Sequence, residues 1–308
     1  MRKLHYHLID VFTNRPFGGN QLAVYTNGRG LSGALMQAIA KEMNFSETTF
    51  VLPPRDPAND YHVRIFTPAS ELPIAGHPTV GTSFVLARER MIEHEGDEAN
   101  IVLEEGVGPV PVRIELKDGE PVFAEMRQPL PTFGPVFEDT RTLAEMLSVE
   151  ASALADTGLP AQVVGCGQPF LFVPLRDLES VRRIRLRLDV WERALGGFAA
   201  QNVFVFTREV EHEGSTVHSR MFAPELGIGE DAATGAASGP LGCYLVRHKL
   251  FPSNGGASDF TSEQGIEMGR PSFIKIRIEH DADRITAVRV GGECVFMGEG
   301  FLEVTGDG

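Results

Sequence analysis

An ordered internal repeat constrains the fold more than any other feature of this chain. RIFTP at residues 64–68 resembles RMFAP at 220–224. Upstream, GNQLAVY (19–25) resembles GQPFLFV (167–173), and ETTFVL (47–52) resembles QNVFVF (201–206). Downstream, ELPIAGHPTVGT (71–82) parallels EDAATGAASGPL (230–241). One such match carries little weight, but a set in the same order points to a duplicated unit. The expected halves are residues 1–128 and 129–308, with PLPTFGP (129–135) as the connector. The last strand, at about 295–305, is able to return to the first half.

Local patterns within the halves are mostly β. HYHLIDVF, the turn NRPFGGN and QLAVYT read as strand, turn and strand, because β-formers flank a Pro/Gly cluster. LSGALMQAIAKEMNF reads as a helix capped by Ser32, with Leu35, Ile39 and Met43 at helical spacing. Each half also contains one segment unusually rich in small residues, AGHPTVGTS and DAATGAASG. Glycine costs a helix about 1 kcal/mol relative to alanine, so its repetition here suggests helices that surrounding strands approach closely.

The bulk composition excludes several function classes. Apolar residues make up 42% and charged residues 23%, as in an ordinary globular protein. Asp and Glu number 42 against 28 Lys and Arg, a net charge of −14 that repels a phosphate backbone, so no nucleic-acid partner is expected. No stretch reads as a membrane span, and the alternating start MRKLHYHLIDVF does not read as a signal peptide. The cysteines, Cys166, Cys243 and Cys294, are odd in number and widely spaced, which fits a reducing, cytoplasmic setting.

Glu47 is the odd member of the apolar strand NFSETTFVLP. It reads either as the wet end of a strand or as a carboxyl whose apolar surroundings raise its proton affinity enough for acid/base work. The two small-residue helices should begin at Gly76–Pro78 and Ala233–Gly235. Helix starts expose unpaired N–H groups and partial positive charge, which suits a small anionic ligand. His77 stands at the first start, and Glu230 and Asp231 stand at the second, where an acid also complements the helix dipole.

Other patterns lead nowhere at this level. GIGEDA (227–232) fits a dinucleotide fingerprint but lacks its βαβ context. His5 and His7 share a strand face, yet no third ligand lies near them in sequence, so solvent-facing histidines rather than a metal site are expected. A two-thiol epimerase would need a cysteine at each helix start, where this chain reads GHP and TGA.

Taken in order, DVFTNRPFGGNQLAV, MNFSETTFVL, RIFTPASELPIAGHPTVGT, the QPLP connector and EDAATGAASGPL resemble the PhzF-like family of phenazine biosynthesis isomerases. The resemblance implies an α+β, diaminopimelate-epimerase-like fold. In that fold two similar domains, related by pseudo-two-fold symmetry, each wrap a curved antiparallel sheet around a central helix, with the active site between them. It also implies a homodimer and cofactor-free isomerisation of trans-2,3-dihydro-3-hydroxyanthranilate. Glu47 matches the family's catalytic Glu, which moves a proton from one carbon to another. His77 and Asp231 match pocket positions that orient polar substituents or share in catalysis, while amides at Gly76, His77 and Gly235 are placed to hold a carboxylate. Ala236 stands where the phenazine enzymes have Ser, so one hydroxyl donor is missing and the substrate is open to difference. A non-catalytic binder of an anionic metabolite, or an epimerase or racemase of an amino or hydroxy acid, are the alternatives to this isomerase.

Overall fold

HYHLIDV and QLAVY pair as antiparallel strands, β1 (Arg2–Val11) and β2 (Asn20–Tyr25), in a computed structural model that describes residues 1–94, 96–252, 255–281 and 284–304. Gly19 closes their turn at φ +62°, where an added Cβ would lie 2.3 Å from the Val11 carbonyl oxygen, so only glycine fits. Helix α1 (Gly33–Met43) follows, and the Ser32 side chain accepts the Leu35 N–H as expected of its cap. Its buried stripe is shifted from the expected Leu35, Ile39 and Met43. Met36, Ile39 and Ala40 are buried against Tyr25, Phe50 and Phe66, and Leu35 and Met43 pack at the margin.

Because α1 carries the chain back across the sheet, β3 (Glu47–Leu52) runs parallel to β2. β4 (Tyr61–Phe66) and the short β5 (Glu71–Leu72) add antiparallel, followed by helix α2 (Gly76–Arg88). α2 is a second crossover, so β6 (Glu98–Glu105) runs parallel to β4 before β7 (Gly108–Lys117) and β8 (Glu120–Gln128) form a meander. The expected antiparallel sheet is therefore corrected to a mixed one, since each helical crossover creates a parallel neighbour.

Two units divide the chain: Met1–Arg127 with Gly291–Gly308, and Gln128–Val290. The second runs through β9 (Thr132–Val136), α3 (Thr140–Leu147), α4 (Ala151–Ala155), β10 (Gln162–Gly165) and β11 (Pro169–Pro174). It continues through α5 (Leu178–Arg183), α6 (Leu188–Leu195), β12 (Val203–Thr207), β13 (Val217–Ala223), β14 (Ile228–Asp231) and α7 (Gly235–Arg247). β15 (Ala257–Gln264), β16 (Ser272–Asp281) and β17 (Arg284–Gly292) complete it, and β18 (Cys294–Val304) pairs along β1 in the first unit. Here too the sheet is mixed, with β11–β12 and β13–β15 parallel. Leu143, Met146, Val181 and Val190 of helices α3, α5 and α6 build a core on Leu171 and Val203.

Both small-residue helices are enclosed. Gly76 to Ala87 of α2 are all buried, and most of α7 is buried as well. An added Cβ on Gly81 would come within 2.7 Å of Leu22 and Val11, and one on Gly242 within 2.6–2.9 Å of Ile276 and Ile278. Gly242→Ala is therefore expected to lower stability by about 1–2 kcal/mol, because overpacking costs more than the helix-propensity gain of about 1 kcal/mol. Urea unfolding of the variant checks this. Among the described residues, no helix is long and apolar enough to cross a membrane.

Candidate active site

β3 begins at Glu47, paired in register with Leu22 of β2, yet the residue is only 7% exposed. The wet-end reading therefore fails. α2 starts at Gly76 and places His77 in its first turn, buried, with Nε2 3.2 Å from Glu47 Oε2. The approach is at ion-pair distance, but the ring is uncharged: burial holds the His77 pKa at about 3, while a hydrogen bond with the Gln21 backbone pulls weakly the other way.

A polar chain sets the imidazole. Ser46 Oγ donates to Asn20 Oδ1 at 2.8 Å, which turns the Asn20 amide nitrogen toward His77 Nδ1 at 3.2 Å. With Nδ1 accepting from Asn20, the single ring proton sits on Nε2, which lies 3.2 Å from Glu47 Oε2 without forming a hydrogen bond to it. The motifs GGN and NFSET contain Asn20 and Ser46, but only the fold brings them to the ring.

A second buried carboxyl stands at the start of α2. Glu105, the last residue of β6, lies 2.5 Å from Thr79 Oγ1, and burial pushes its pKa up to about 8 against hydrogen bonds with Thr79 and the Ala75 backbone. Sequence reading passed over it as one more acid in LEEG.

Asp231, Gly235 and Ala236 are grouped in the second unit. Asp231 ends β14, is buried, and its Oδ2 accepts Thr234 Oγ1 at 2.6 Å. Gln264 fixes this corner: its Nε2 donates to the Asp231 carbonyl (2.8 Å) and to Thr234 Oγ1 (2.9 Å), and its Oε1 accepts the Thr234 N–H (3.1 Å). Gly235 opens α7, and its carbonyl accepts Gln128 Nε2 at 2.9 Å. Ala236 is partly exposed in the same first turn. Glu230, the other acid of this segment, is held by Arg220 through two bonds of 2.7 and 2.8 Å, as Glu71 is held by Arg64 in the first unit. A cavity of ≈ 580 Å³ in the second unit, bordered by Phe133, His248 and Arg284, touches none of these groups.

The cysteines are not at the helix starts. Cys166 follows β10, Cys243 lies well inside α7 and Cys294 opens β18. Both Cys243 and Cys294 have thiol pKa values raised, Cys243 chiefly by its hydrogen bond with Cys166 and Cys294 by burial.

Known proteins resemble this chain along nearly its whole length. The family described as phenazine biosynthesis-like protein matches residues 9–300. Trans-2,3-dihydro-3-hydroxyanthranilate isomerase of Pseudomonas aeruginosa is 39% identical over 295 residues, covering 96% of this chain and 98% of that protein. The protein of the same name from Pseudomonas chlororaphis is 37% identical over 302 residues, covering 97% and 99%. The solved structure of a PhzF-family phenazine biosynthesis protein from Bacillus anthracis superposes with a TM-score of 0.86 at 28% identity, covering 99% of this chain and 100% of that one. A probable proline racemase from Agrobacterium radiobacter shares the fold alone, at a TM-score of 0.68 and 11% identity, covering 99% and 93%. With an α+β fold, a buried Glu47 beside His77, and a match spanning nearly its whole length, the chain belongs to the phenazine biosynthesis-like (PhzF) family.

Proposed function

We propose that the protein is an isomerase that moves a proton within a small unsaturated carboxylic acid, trans-2,3-dihydro-3-hydroxyanthranilate or a near relative of it, using its own side chains as acid and base. The observation that carries this reading is the buried Glu47 carboxyl, 3.2 Å from the neutral His77 ring at the start of α2. Glu47 takes a proton from carbon and returns it to another carbon of the same conjugated system. Between the two transfers the charge spreads over that system and onto the substrate carboxylate. Amides at Gly76 and His77, together with the positive end of α2, stabilise that charge as it develops. His77, neutral, stands beside the Glu47 carboxyl and limits where that carboxyl can move.

Asp231, Gly235 and Ala236 are assigned a substrate-binding role, with Thr234 fixing the Asp231 carboxyl. Because Ala236 offers no hydroxyl, a substrate with one polar group fewer than the phenazine intermediate is the main variation on this reading. Thiol-based racemisation is disfavoured by the raised pKa values of Cys243 and Cys294 and by their positions. A duplicated origin of the two units and a homodimeric assembly complete the proposal. Light scattering on the purified protein tests the dimer.

The direct test is isomerisation in deuterated water, followed by NMR. A shift of the double bond is expected, with deuterium at the accepting carbon only to the extent that the proton held by Glu47 exchanges with solvent before it is returned, and with no exchange at a stereocentre of unreacted substrate. Loss of optical rotation without a shift of the double bond would instead identify an epimerase.

A further inference from the structure

We propose that His5, His7 and Glu299, with Glu89 as a fourth donor, form a binding site for one borderline divalent transition metal such as Zn2+. In sequence the two histidines share a strand face and lack a third ligand. β18 supplies it, because the register of β1 on β18 sets His7 opposite Glu299. The donor atoms of His5, His7 and Glu299 all lie within 4.8 Å of one another. His5 Nε2 is 3.2 Å from Glu299 Oε2, His7 Nδ1 is 4.0 Å from the same oxygen, and Glu89 Oε1 is 3.6 Å from His7 Nδ1. Tetrahedral zinc, with bonds of about 2.0–2.2 Å to nitrogen and oxygen, separates its ligands by roughly 3.3–3.5 Å, so the observed spacings need only small rotamer changes.

The second observation is His7 itself. Its side chain is 1% exposed, and Nδ1, aimed at the two carboxylates, has no hydrogen-bond partner. A buried ring nitrogen left so costs free energy on the order of 1–3 kcal/mol, and a metal bond would remove that cost. The second unit places Gln162 of β10 and His248, the residue capping the end of α7, in a similar relation, and there Oε1 and Nε2 meet at 3.1 Å. In the first unit the corresponding pair is His7 and Glu89, the residue capping the end of α2, and it stays apart.

Chemistry selects the class of ion. Two imidazoles favour Zn2+, Co2+, Ni2+ or Cu2+ over Mg2+ and Ca2+, which take oxygen ligands. Two carboxylates outweigh the neighbouring cation Arg88, which lies over the Phe296 ring at 4.2 Å and 3.7 Å from Glu120. His5 and Glu299 are partly exposed, so an ion can enter from solvent, while His7 is fixed.

Calorimetric titration of untagged, full-length protein with Zn2+, and Co2+ absorption spectra, test the proposal. One equivalent is expected to bind, with a Co2+ visible band characteristic of nitrogen and oxygen ligands in a site of low symmetry. His5→Asn and Glu299→Gln, both at accessible positions, should each weaken binding by at least about tenfold, whereas His94→Asn should not change it. Absence of stoichiometric binding, or binding unchanged in the His5→Asn/Glu299→Gln double variant, would overturn the assignment.

Discussion

Glu47→Gln is expected to lower the isomerisation rate by about 10²- to 10⁴-fold, the usual contribution of a positioned acid/base group, while the protein stays folded. The amide keeps the shape of the side chain and can still face His77 Nε2, but it cannot accept a proton from carbon. Glu47→Asp separates chemistry from position: the carboxyl remains but withdraws by one methylene, and a displacement of about 1 Å can cost roughly 100-fold. His77→Gln should reduce the rate without altering the pH profile between about pH 5 and 9, because the ring, with its pKa near 3, does not titrate there. Single-turnover rates against pH for the three variants, with circular dichroism as the control for folding, check these outcomes. A Glu47→Gln protein as active as the parent would remove Glu47 from the chemistry.

How much of this arrangement the sequence discloses depends on the distance over which each signal acts. Local turn and cap chemistry is readable: Ser32 caps α1, and the starts of α2 and α7 fall on the glycines Gly76 and Gly235. The repeat makes the enclosed small-residue helices legible, because glycine at positions such as Gly81 and Gly242 makes physical sense only where strands press on the helix. Strand direction is less accessible, since the parallel pairing of β2 with β3 follows from where α1 returns the chain, which no residue pattern in either strand encodes. Helix α3 carries an ordinary signal, Asp139 capping Thr142 and the Leu143, Met146, Leu147 spacing, but α3 and α4 precede the repeated segments and no helix stands at that place in the first half to draw attention to them, whereas α5 and α6 stand between β11 and β12 where the first half has α1.

Site residues divide in the same way. Glu47 is conspicuous because charge is out of place in an apolar strand, and His77 because it sits at a helix start. Asn20 and Ser46 act only through the tertiary contact that orients the ring, so their roles are invisible before folding. Glu299 is the extreme case. It lies almost the whole chain away from His5 and His7 and reaches them through the β1–β18 register alone. Sequence proximity of His5 and His7 therefore says nothing about which residue of another strand faces them.

Glu105→Gln is expected to stabilise the protein progressively as pH rises, by up to about 5 kcal/mol relative to the parent between pH 4.5 and 8. The hydrogen bonds give the reason. Thr79 Oγ1 lies 2.6 Å from the Ala75 carbonyl and 2.5 Å from Glu105 Oε1, and its single proton serves only one of them. If the hydroxyl donates to Ala75, the short contact is satisfied when a protonated Glu105 donates to Thr79. Glu105 Oε2 is buried without a hydrogen-bond partner, which further penalises the ionised form. The second unit contains the neutral version of this corner. There Gln264 donates to the Thr234 hydroxyl and accepts the backbone N–H at the start of α7. Glu105 is thus a carboxylic acid doing the work of an amide, and the linkage sign follows. Its folded pKa, about 8, exceeds the ordinary 4.5, so between those values the native state keeps a proton that the unfolded state has released, and stability falls as pH rises. The slope is about 1.4 kcal/mol per pH unit and levels off above pH 8. His77 contributes the opposite limb, because its folded pKa near 3 lies below the ordinary 6.5 and stability is lost as pH falls between them. Subtracting variant from parent removes His77 and every other shared group, leaving the Glu105 limb alone. Urea denaturation of both proteins at half-unit steps from pH 4.5 to 9 measures that difference. A difference that does not change with pH would mean that Glu105 is ionised in the folded protein, and the hydrogen-bond reading at Thr79 would then have to be reversed.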